Sequence, residues 1–244
     1  MIGGTEGVDG REWVVEPDCE RFFESTAAMK KLRMHGFLPA SLANGPGRRA
    51  VLWVQGCSLG CPGCFNPGSH ALSAGSEVAV SGLIDRVVGL SPTIDGITVS
   101  GGEPLQQWPA IAELLRGVRS RTRLSVVLFS GYSWGELEKC GATGQGIAGG
   151  PDDSCLGEVS VLVDVLIAGR YQEANRIARG LRGSANKTMH FLSNRYEPRD
   201  FEHPPESELM IGPGGEITFS GIDPLVWNRS EDRRTSDGPM LLQR

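Results

Sequence analysis

The sequence predicts an α/β fold with a mainly parallel sheet, because short strand-like apolar runs alternate with segments of helical periodicity. The 244 residues suffice for one domain with a sizeable core. Hydrophobic residues at 39% and charged residues at 22% are ordinary for a globular protein and argue against general disorder. Ligands of parallel sheets bind at the carboxyl ends of the strands, so we expect the functional residues in the loops that follow strands.

The predicted elements follow one another closely after residue 49. Strands are predicted at residues 50–54, 94–100, 124–129 and 159–168, and helices at residues 77–90, 108–119 and 133–140. Ser133 and Glu136 form a capping-box pattern at the start of the last helix. The almost unbroken apolar run at 124–129 is typical of a strand with helices on both faces of its sheet.

Glycine, proline and polar residues indicate the turns and the ends of the domain. Residues 141–151 are predicted to form a glycine-rich surface loop, and residues 209–219 a hairpin that turns at 213–215. We divide the chain into an N-terminal extension at 1–45, a core domain at 46–225 and a polar tail at 226–244.

Composition and charge exclude several classes of function. A net charge of −5 gives no electrostatic reason to expect nucleic acid or an anionic membrane as a partner. No run approaches the ~18 consecutive apolar residues of a membrane span, and residues 1–10 lack the pattern of a signal peptide. Six cysteines in a chain of this length do not indicate the disulfide framework of a small secreted domain. We therefore expect a reduced, cytoplasmic protein.

Three cysteines lie directly after the first predicted strand. Cys57, Cys61 and Cys64 have the spacing C-x₃-C-x₂-C. Three thiolates on one loop hold three irons of a [4Fe–4S] cluster and leave the fourth iron without a protein ligand, and an open metal position is typical of catalysis. Two alternatives stay open: a zinc site completed by His70, and three unconnected thiols.

A second motif follows the next predicted strand. Gly101 and Gly102 lack side chains, so the backbone can approach a ligand closely, and Glu103 offers a carboxylate to a cationic group. A strand-ending turn without a ligand is the alternative.

Together the two motifs resemble the radical S-adenosylmethionine superfamily. The resemblance implies an incomplete (β/α) barrel, a [4Fe–4S] cluster on the three cysteines, and S-adenosylmethionine whose amino group binds the Gly101–Gly102–Glu103 turn. It also implies reductive cleavage of S-adenosylmethionine to methionine and a 5′-deoxyadenosyl radical, which abstracts hydrogen from a substrate C–H bond.

One residue departs from the usual pattern of that superfamily. The position before the third cysteine is often aromatic, and here it is Gly63, so we expect Phe65 to cover the cluster instead. The Cys-Pro-Gly-Cys form of the motif resembles the small activating enzymes of glycyl-radical proteins. Residues 164–171 and 181–187 resemble segments of the ribonucleotide reductase activating proteins.

Further candidates lie downstream of the two motifs. Ser130 lies in the segment 129–132 at the end of the third strand, which is either a contact for the ribose or adenine or a turn without a ligand. Asp164 interrupts an apolar strand, so its carboxylate should be paired or point into the cavity as a catalytic group. Cys140 and Cys155 flank the glycine-rich loop and are either ordinary thiols or hydrogen-atom donors.

A polar segment near residue 184 is the last candidate. Arg182, Ser184 and Asn186 line either a polar site or a solvated loop.

Three functions remain. Epimerisation or tailoring of a sugar or natural product, with a cysteine as hydrogen donor, is slightly favoured, because an arginine-rich composition hints at an antibiotic-producing bacterium. The alternative is an activating enzyme that installs a glycyl radical on a partner protein of the anaerobic ribonucleotide reductase type. Both require an electron donor such as flavodoxin or ferredoxin. A non-enzymatic cluster carrier is the third possibility.

Overall fold

A computed structural model of the chain describes residues 30–147, 149–212 and 214–222. The strands are β1 Lys31–Ser41, β2 Arg49–Val54, β3 Ser76–Ala79, β4 Gly96–Gly101, β5 Ser125–Ser130, β6 Val165–Ala168, β7 Arg176–Arg179, β8 Arg182–Ser184, β9 Thr188–Phe191, β10 Ser207–Ile211 and β11 Ile217–Gly221. The helices are α1 Val80–Leu90, α2 Trp108–Arg121, α3 Trp134–Thr143 and α4 Cys155–Leu162.

Seven strands form one central sheet in the order β3-β1-β2-β4-β5-β6-β9. The four inner strands β2, β4, β5 and β6 are parallel to one another. The pairs β1–β2, β1–β3 and β6–β9 are antiparallel. The α/β class is therefore confirmed, with a mixed sheet that is parallel at its centre.

The two faces of the sheet are covered in different ways. On one face, side chains at alternate strand positions such as Leu52, Val99 and Leu128 pack with α1, α2 and α4 in one hydrophobic core. On the other face, Val127 and Ile167 pack with Leu181 and Phe201. The expectation of helices on both faces of β5 is wrong there, because that face is covered by a segment with little helix, which contains the 3₁₀ turn Pro198–Phe201.

Two predicted elements have different boundaries in the structure. The predicted strand at 159–168 is divided into α4 and β6, because a short apolar run fits a buried helix as well as a strand. The predicted helix at 77–90 begins with β3, which pairs with β1. The strand Lys31–Ser41 lies in the residues assigned to an N-terminal extension and belongs to the central sheet.

Other predicted features are confirmed. Ser133 caps α3, and Glu136 completes the capping box by accepting a hydrogen bond from the Ser133 N–H at 2.8 Å. The hairpin is formed by β10 and β11, with Leu209 opposite Phe219; Pro213 of its turn lies outside the described residues. Among the described residues no helix is long and apolar enough to cross a membrane.

Buried charged groups fix the amino-terminal edge of the parallel strands. The Arg49 guanidinium is fully buried and donates hydrogen bonds to Thr98 Oγ1 at 2.8 Å and to the Ile97 carbonyl at 2.8 Å. Burial lowers the pKa of Arg49. This polar packing lies at the amino-terminal ends of the parallel strands, and the loops that carry the two sequence motifs lie at their carboxyl ends.

Candidate functional site

The cysteine loop leaves the carboxyl end of β2 and is held by its own backbone. The Gly56 N–H donates to the Ser69 carbonyl at 2.7 Å, and the Cys57 N–H donates to the His70 carbonyl at 3.1 Å. The Cys64 N–H donates to the Cys61 carbonyl at 3.3 Å. These bonds fold residues 57–64 into a compact loop on which three free, half-buried thiols are presented together.

Burial shapes the acidity of these thiols. Desolvation raises the pKa of Cys57 and of Cys64, and at Cys64 a hydrogen bond from the Asn66 backbone and, to a smaller extent, the Lys187 ammonium oppose this effect. Because thiolate is the metal-binding form, cluster binding at this loop releases protons.

The Gly101–Gly102–Glu103 turn packs directly against the cysteine loop. The Gly102 N–H donates to the Val54 carbonyl at 2.8 Å, and the Glu103 N–H donates to the Gly56 carbonyl at 2.9 Å. A Cβ atom on Gly102 would lie 2.3 Å from the Gly56 oxygen, and Gly101 has a φ of +103°. The two glycines therefore allow the turn to contact the backbone of the cysteine loop. The sequence had instead predicted that they allow the backbone to approach a ligand.

Glu103 is fully buried at this junction. Its carboxylate accepts hydrogen bonds from the Leu105 N–H at 2.9 Å, the Ser130 hydroxyl at 3.0 Å and the Gly131 N–H at 2.6 Å. Burial raises the pKa of Glu103, whereas these hydrogen bonds and the charge of Lys187 lower it. The carboxylate therefore ties the turn after β4 to the turn after β5, and the Ser130 hydroxyl is engaged by Glu103.

Phe65 and Gly63 contact the segment that follows β6. The Phe65 ring lies 4.7 Å from the Tyr171 ring, measured between centroids, and the Arg176 guanidinium lies 4.7 Å from the Phe65 centroid. A Cβ atom on Gly63 would lie 2.8 Å from the Glu173 carboxyl carbon. This segment packs against the carboxyl-terminal end of the cysteine loop, at Gly63 and Phe65.

Asp164 lies at the amino end of β6, away from the edge that carries the cysteine loop. Its carboxylate accepts hydrogen bonds from the Val126 N–H at 2.7 Å and the Ser193 hydroxyl at 2.6 Å, and forms an ion pair with Arg119 at 3.0 Å. Of the two placements expected for this carboxylate, the paired one is observed. A catalytic role for Asp164 stays a prediction that this placement does not favour.

The two downstream cysteines lie in the helical layer. Cys140 is buried in α3, with its Sγ 3.1 Å from the Asp152 carbonyl oxygen. Cys155 begins α4 inside the main hydrophobic core, where burial raises the pKa of its thiol strongly. Their role as hydrogen donors stays a prediction.

The polar segment around residue 184 holds the loop after β6. The Ser184 hydroxyl accepts a hydrogen bond from the Gln172 N–H at 3.2 Å, and the Asn186 amide donates to the Arg170 carbonyl at 2.8 Å. Arg182 lies in β8, opposite Arg179.

Sequence reasoning did not single out Lys187, whose ammonium lies close to the site. It is one of four lysines in a chain with a total of 24 lysines and arginines, and this rarity was a weak signal. Only the fold brings Lys187 near Glu103, Cys61 and Cys64, with which it interacts electrostatically.

Within the described ranges, no three histidine, cysteine, aspartate or glutamate side chains converge closely enough for a single metal ion. A four-iron cluster has no such requirement, because each thiolate binds a different iron. Three free thiols on one short loop match that donor set. The fold and the site thus define an α/β iron–sulfur protein.

Comparisons with known proteins agree with this assignment to the iron–sulfur proteins. The family described as a 4Fe-4S single cluster domain matches residues 43–190, more than half of the chain. The anaerobic ribonucleoside-triphosphate reductase-activating protein of Salmonella typhimurium is 30% identical over 169 residues, which cover 66% of this chain and 99% of that protein. The pyruvate formate-lyase-activating enzyme of Clostridium pasteurianum is 31% identical over 111 residues, which cover 44% of this chain and 47% of that enzyme.

The chain belongs to this 4Fe-4S single cluster family, among the radical S-adenosylmethionine activating proteins. It is an enzyme, and its cofactors are a [4Fe–4S] cluster and S-adenosylmethionine.

Proposed function

We propose that this chain is an activating enzyme that produces a glycyl radical on a partner protein. The observation that carries the proposal is the direct packing of the Gly-Gly-Glu turn on the cysteine loop, through the 2.9 Å hydrogen bond from the Glu103 N–H to the Gly56 carbonyl. The relatives support the choice of partner, because a named activating protein of anaerobic ribonucleoside-triphosphate reductase is matched over 99% of its length.

In this proposal each motif has a defined task. Cys57, Cys61 and Cys64 hold the cluster, and the turn at 101–103 receives the amino group of S-adenosylmethionine. When bound, the two cofactors together supply a carbon-centred radical that removes a hydrogen atom from the partner's glycine. The hydrogen bonds of Glu103 hold the turns after β4 and β5 together beside the cysteine loop, so the chain positions the reacting groups.

A protein substrate suits the exposure of the cysteine loop. Ser58, Gly60, Pro62 and Gly63 are exposed, and the three thiols are half-buried. A peptide loop from a partner can therefore approach this face directly.

The activating function has more support than the epimerase function favoured by the sequence. A radical epimerase of the predicted type needs a thiol that faces the substrate. Cys140 and Cys155 are instead packed in the helical layer, with Cys140 bound to the Asp152 carbonyl. Epimerisation and a role in antibiotic biosynthesis therefore remain the less supported alternative.

The proposal also includes a more specific description of the fold, namely the incomplete (β/α) barrel expected from the sequence. Three successive parallel pairs, with helices on one face of the sheet, support an incomplete (β/α) barrel whose open side faces the partner. Electron delivery by flavodoxin or ferredoxin stays a prediction.

The test is radical transfer to a purified partner under anaerobic conditions. Reconstituted chain, dithionite and S-adenosylmethionine are mixed with an anaerobic ribonucleotide reductase and, separately, with a pyruvate formate-lyase. We expect a glycyl doublet in the EPR spectrum of one of them. When that partner carries α-deuterated glycine, deuterium should appear in the 5′-deoxyadenosine.

The matched control is the Cys61→Ala variant, which should give neither the doublet nor 5′-deoxyadenosine. The proposal fails if the wild-type chain cleaves S-adenosylmethionine but transfers no radical to either partner and instead incorporates solvent deuterium into a small molecule.

A further inference from the structure

Lys187 lies in the loop between β8 and β9, and its ammonium is fixed at the carboxyl end of the parallel strands. The Nζ atom donates a hydrogen bond to the Gly169 carbonyl, directly after β6. The Gly169 N–H in turn donates to the Ser130 carbonyl at 3.1 Å and to the Tyr132 carbonyl at 2.9 Å. The ammonium is therefore anchored to backbone that joins the ends of β5 and β6, beside the residues that bind Glu103.

The groups that Lys187 faces are anionic or become so. Burial lowers the pKa of Lys187, and the charges of Glu103, Cys61 and Cys64 oppose this effect by favouring the ammonium. The ammonium in turn acts against the larger effect of burial, which raises the pKa of Cys64 and of Glu103. Its hydrogen-bond partner is a neutral carbonyl, so no carboxylate at that contact offsets its charge.

A second cation nearby is already paired. Arg170 also interacts with Cys61, but its guanidinium donates two hydrogen bonds to the Glu136 carboxylate, at 2.8 and 2.7 Å. Arg170 is thus bound directly to a carboxylate through two hydrogen bonds, whereas the Lys187 ammonium is hydrogen-bonded to a neutral carbonyl and interacts with Glu103 and the thiols only at longer range.

We propose that the positive charge of Lys187 raises the reduction potential of the cluster by offsetting the negative charge on its thiolate ligands. Reduction adds one electron, and therefore one negative charge, to a group already surrounded by thiolates. A nearby cation stabilises the reduced form more than the oxidised form, so it raises the potential and eases electron entry. The proposal depends on the cysteine ligation described above and is independent of the partner protein.

The test is an EPR-monitored redox titration of the reconstituted holoprotein without S-adenosylmethionine. In Lys187→Met we expect reduction to become about tenfold less favourable, which is a shift of ~59 mV to lower potential for a one-electron couple. Lys187→Arg keeps the charge and should titrate close to wild type. Lys139→Met removes an exposed lysine of α3 and should not change the potential.

Iron and sulfide content are measured for every variant, so that failure to bind the cluster is separated from a change of potential. If Lys187→Met does not load, Lys187→Gln is titrated in its place. The proposal is overturned if Lys187→Met or Lys187→Gln binds a full cluster and its reduction potential equals that of the wild type. This outcome does not depend on how the variant binds S-adenosylmethionine. Absence of any cluster in the wild type would instead contradict the proposed cysteine ligation.

Discussion

The Glu103 carboxylate accepts a hydrogen bond of 2.6 Å from the backbone N–H of Gly131, and this bond joins the turns that follow β4 and β5. The same carboxylate also binds the Ser130 hydroxyl and the Leu105 N–H. One buried side chain thus organises two of the loops that surround the cysteine loop.

Replacing Glu103 by Gln should therefore affect both stability and cofactor binding. The neutral amide brings an NH₂ group toward N–H and hydroxyl donors, so at least one buried donor loses its acceptor, at a cost of about 1–3 kcal/mol. We expect this loss in urea unfolding, together with weaker S-adenosylmethionine binding in calorimetry. Glu113→Gln, on the exposed ion pair with Lys30, is the control and should change neither; equal behaviour of the two variants would contradict the role of Glu103.

Gly102→Ala should separate the turn from the cysteine loop. The added Cβ would meet the Gly56 carbonyl oxygen at 2.3 Å, and backbone on both sides leaves no flexible group to yield. Overpacking of this kind costs about 1–3 kcal/mol. We expect lower stability in urea and reduced iron content after reconstitution.

Gly82→Ala is the control, because a Cβ at this position on α1 meets nothing within 4 Å. This variant should instead stabilise the chain by about 0.5–1 kcal/mol. Normal iron loading of Gly102→Ala would refute the close contact.

Asp164→Asn should act on stability and not on chemistry. The buried carboxylate pairs with Arg119 at 3.0 Å and accepts the Val126 N–H, so neutralising it weakens contacts at the amino-terminal edge of the sheet. We expect a loss of about 1–3 kcal/mol in urea unfolding, with unchanged 5′-deoxyadenosine formation per loaded cluster. Asp85→Asn, on an exposed pair with Arg121, is the control. Full stability combined with lost turnover would restore the catalytic prediction for Asp164.

Cys140→Ala and Cys155→Ala distinguish the two enzymatic functions. Both thiols are buried in the helical layer, so we expect each variant to form 5′-deoxyadenosine and the partner's glycyl radical at wild-type yield per cluster. EPR spin quantification and chromatography of the nucleoside measure the two yields. Loss of inversion of a small-molecule substrate in either variant, with nucleoside formation intact, would instead support a hydrogen-donor thiol and the epimerase function.

The Glu136–Arg170 pair should make stability depend on acid pH. Hydrogen bonds from Arg170 are the main reason that the pKa of Glu136 falls from 4.5 to about 2. A pKa lowered by folding contributes stability above pH 4.5, and this contribution is lost as the pH falls toward 2. The effect is modest because both side chains are partly exposed.

Urea unfolding of the cluster-free chain tests this dependence, since acid loss of the cluster then plays no part. Arg170→Met should be less stable than wild type at neutral pH, and the difference should shrink toward pH 2. Arg121→Met, at an exposed pair, serves as the control. If the difference in unfolding free energy between wild type and Arg170→Met grows as the pH falls, the predicted direction of the pH dependence is wrong.

Local patterns were sufficient for much of this protein. The spacing of Cys57, Cys61 and Cys64, the Gly-Gly-Glu turn and the capping box of Ser133 and Glu136 are each written within a few consecutive residues, and so is the strand–helix alternation behind the α/β class. Such features depend on neighbours in the chain, which a sequence displays directly.

Tertiary structure decided what depends on distant residues. Lys187 lies within range of the charges of Cys61 and Cys64 only because its ammonium is bound at the carboxyl end of β6. Asp164 is paired because α2 brings Arg119 to it. Residues 76–79 form a strand because β1 supplies hydrogen-bond partners, and α4 is a helix although its residues are apolar enough for a strand. Charges, hydrogen-bond partners and buried contacts come from segments far apart in the chain, so their effects appear only once the sheet is assembled.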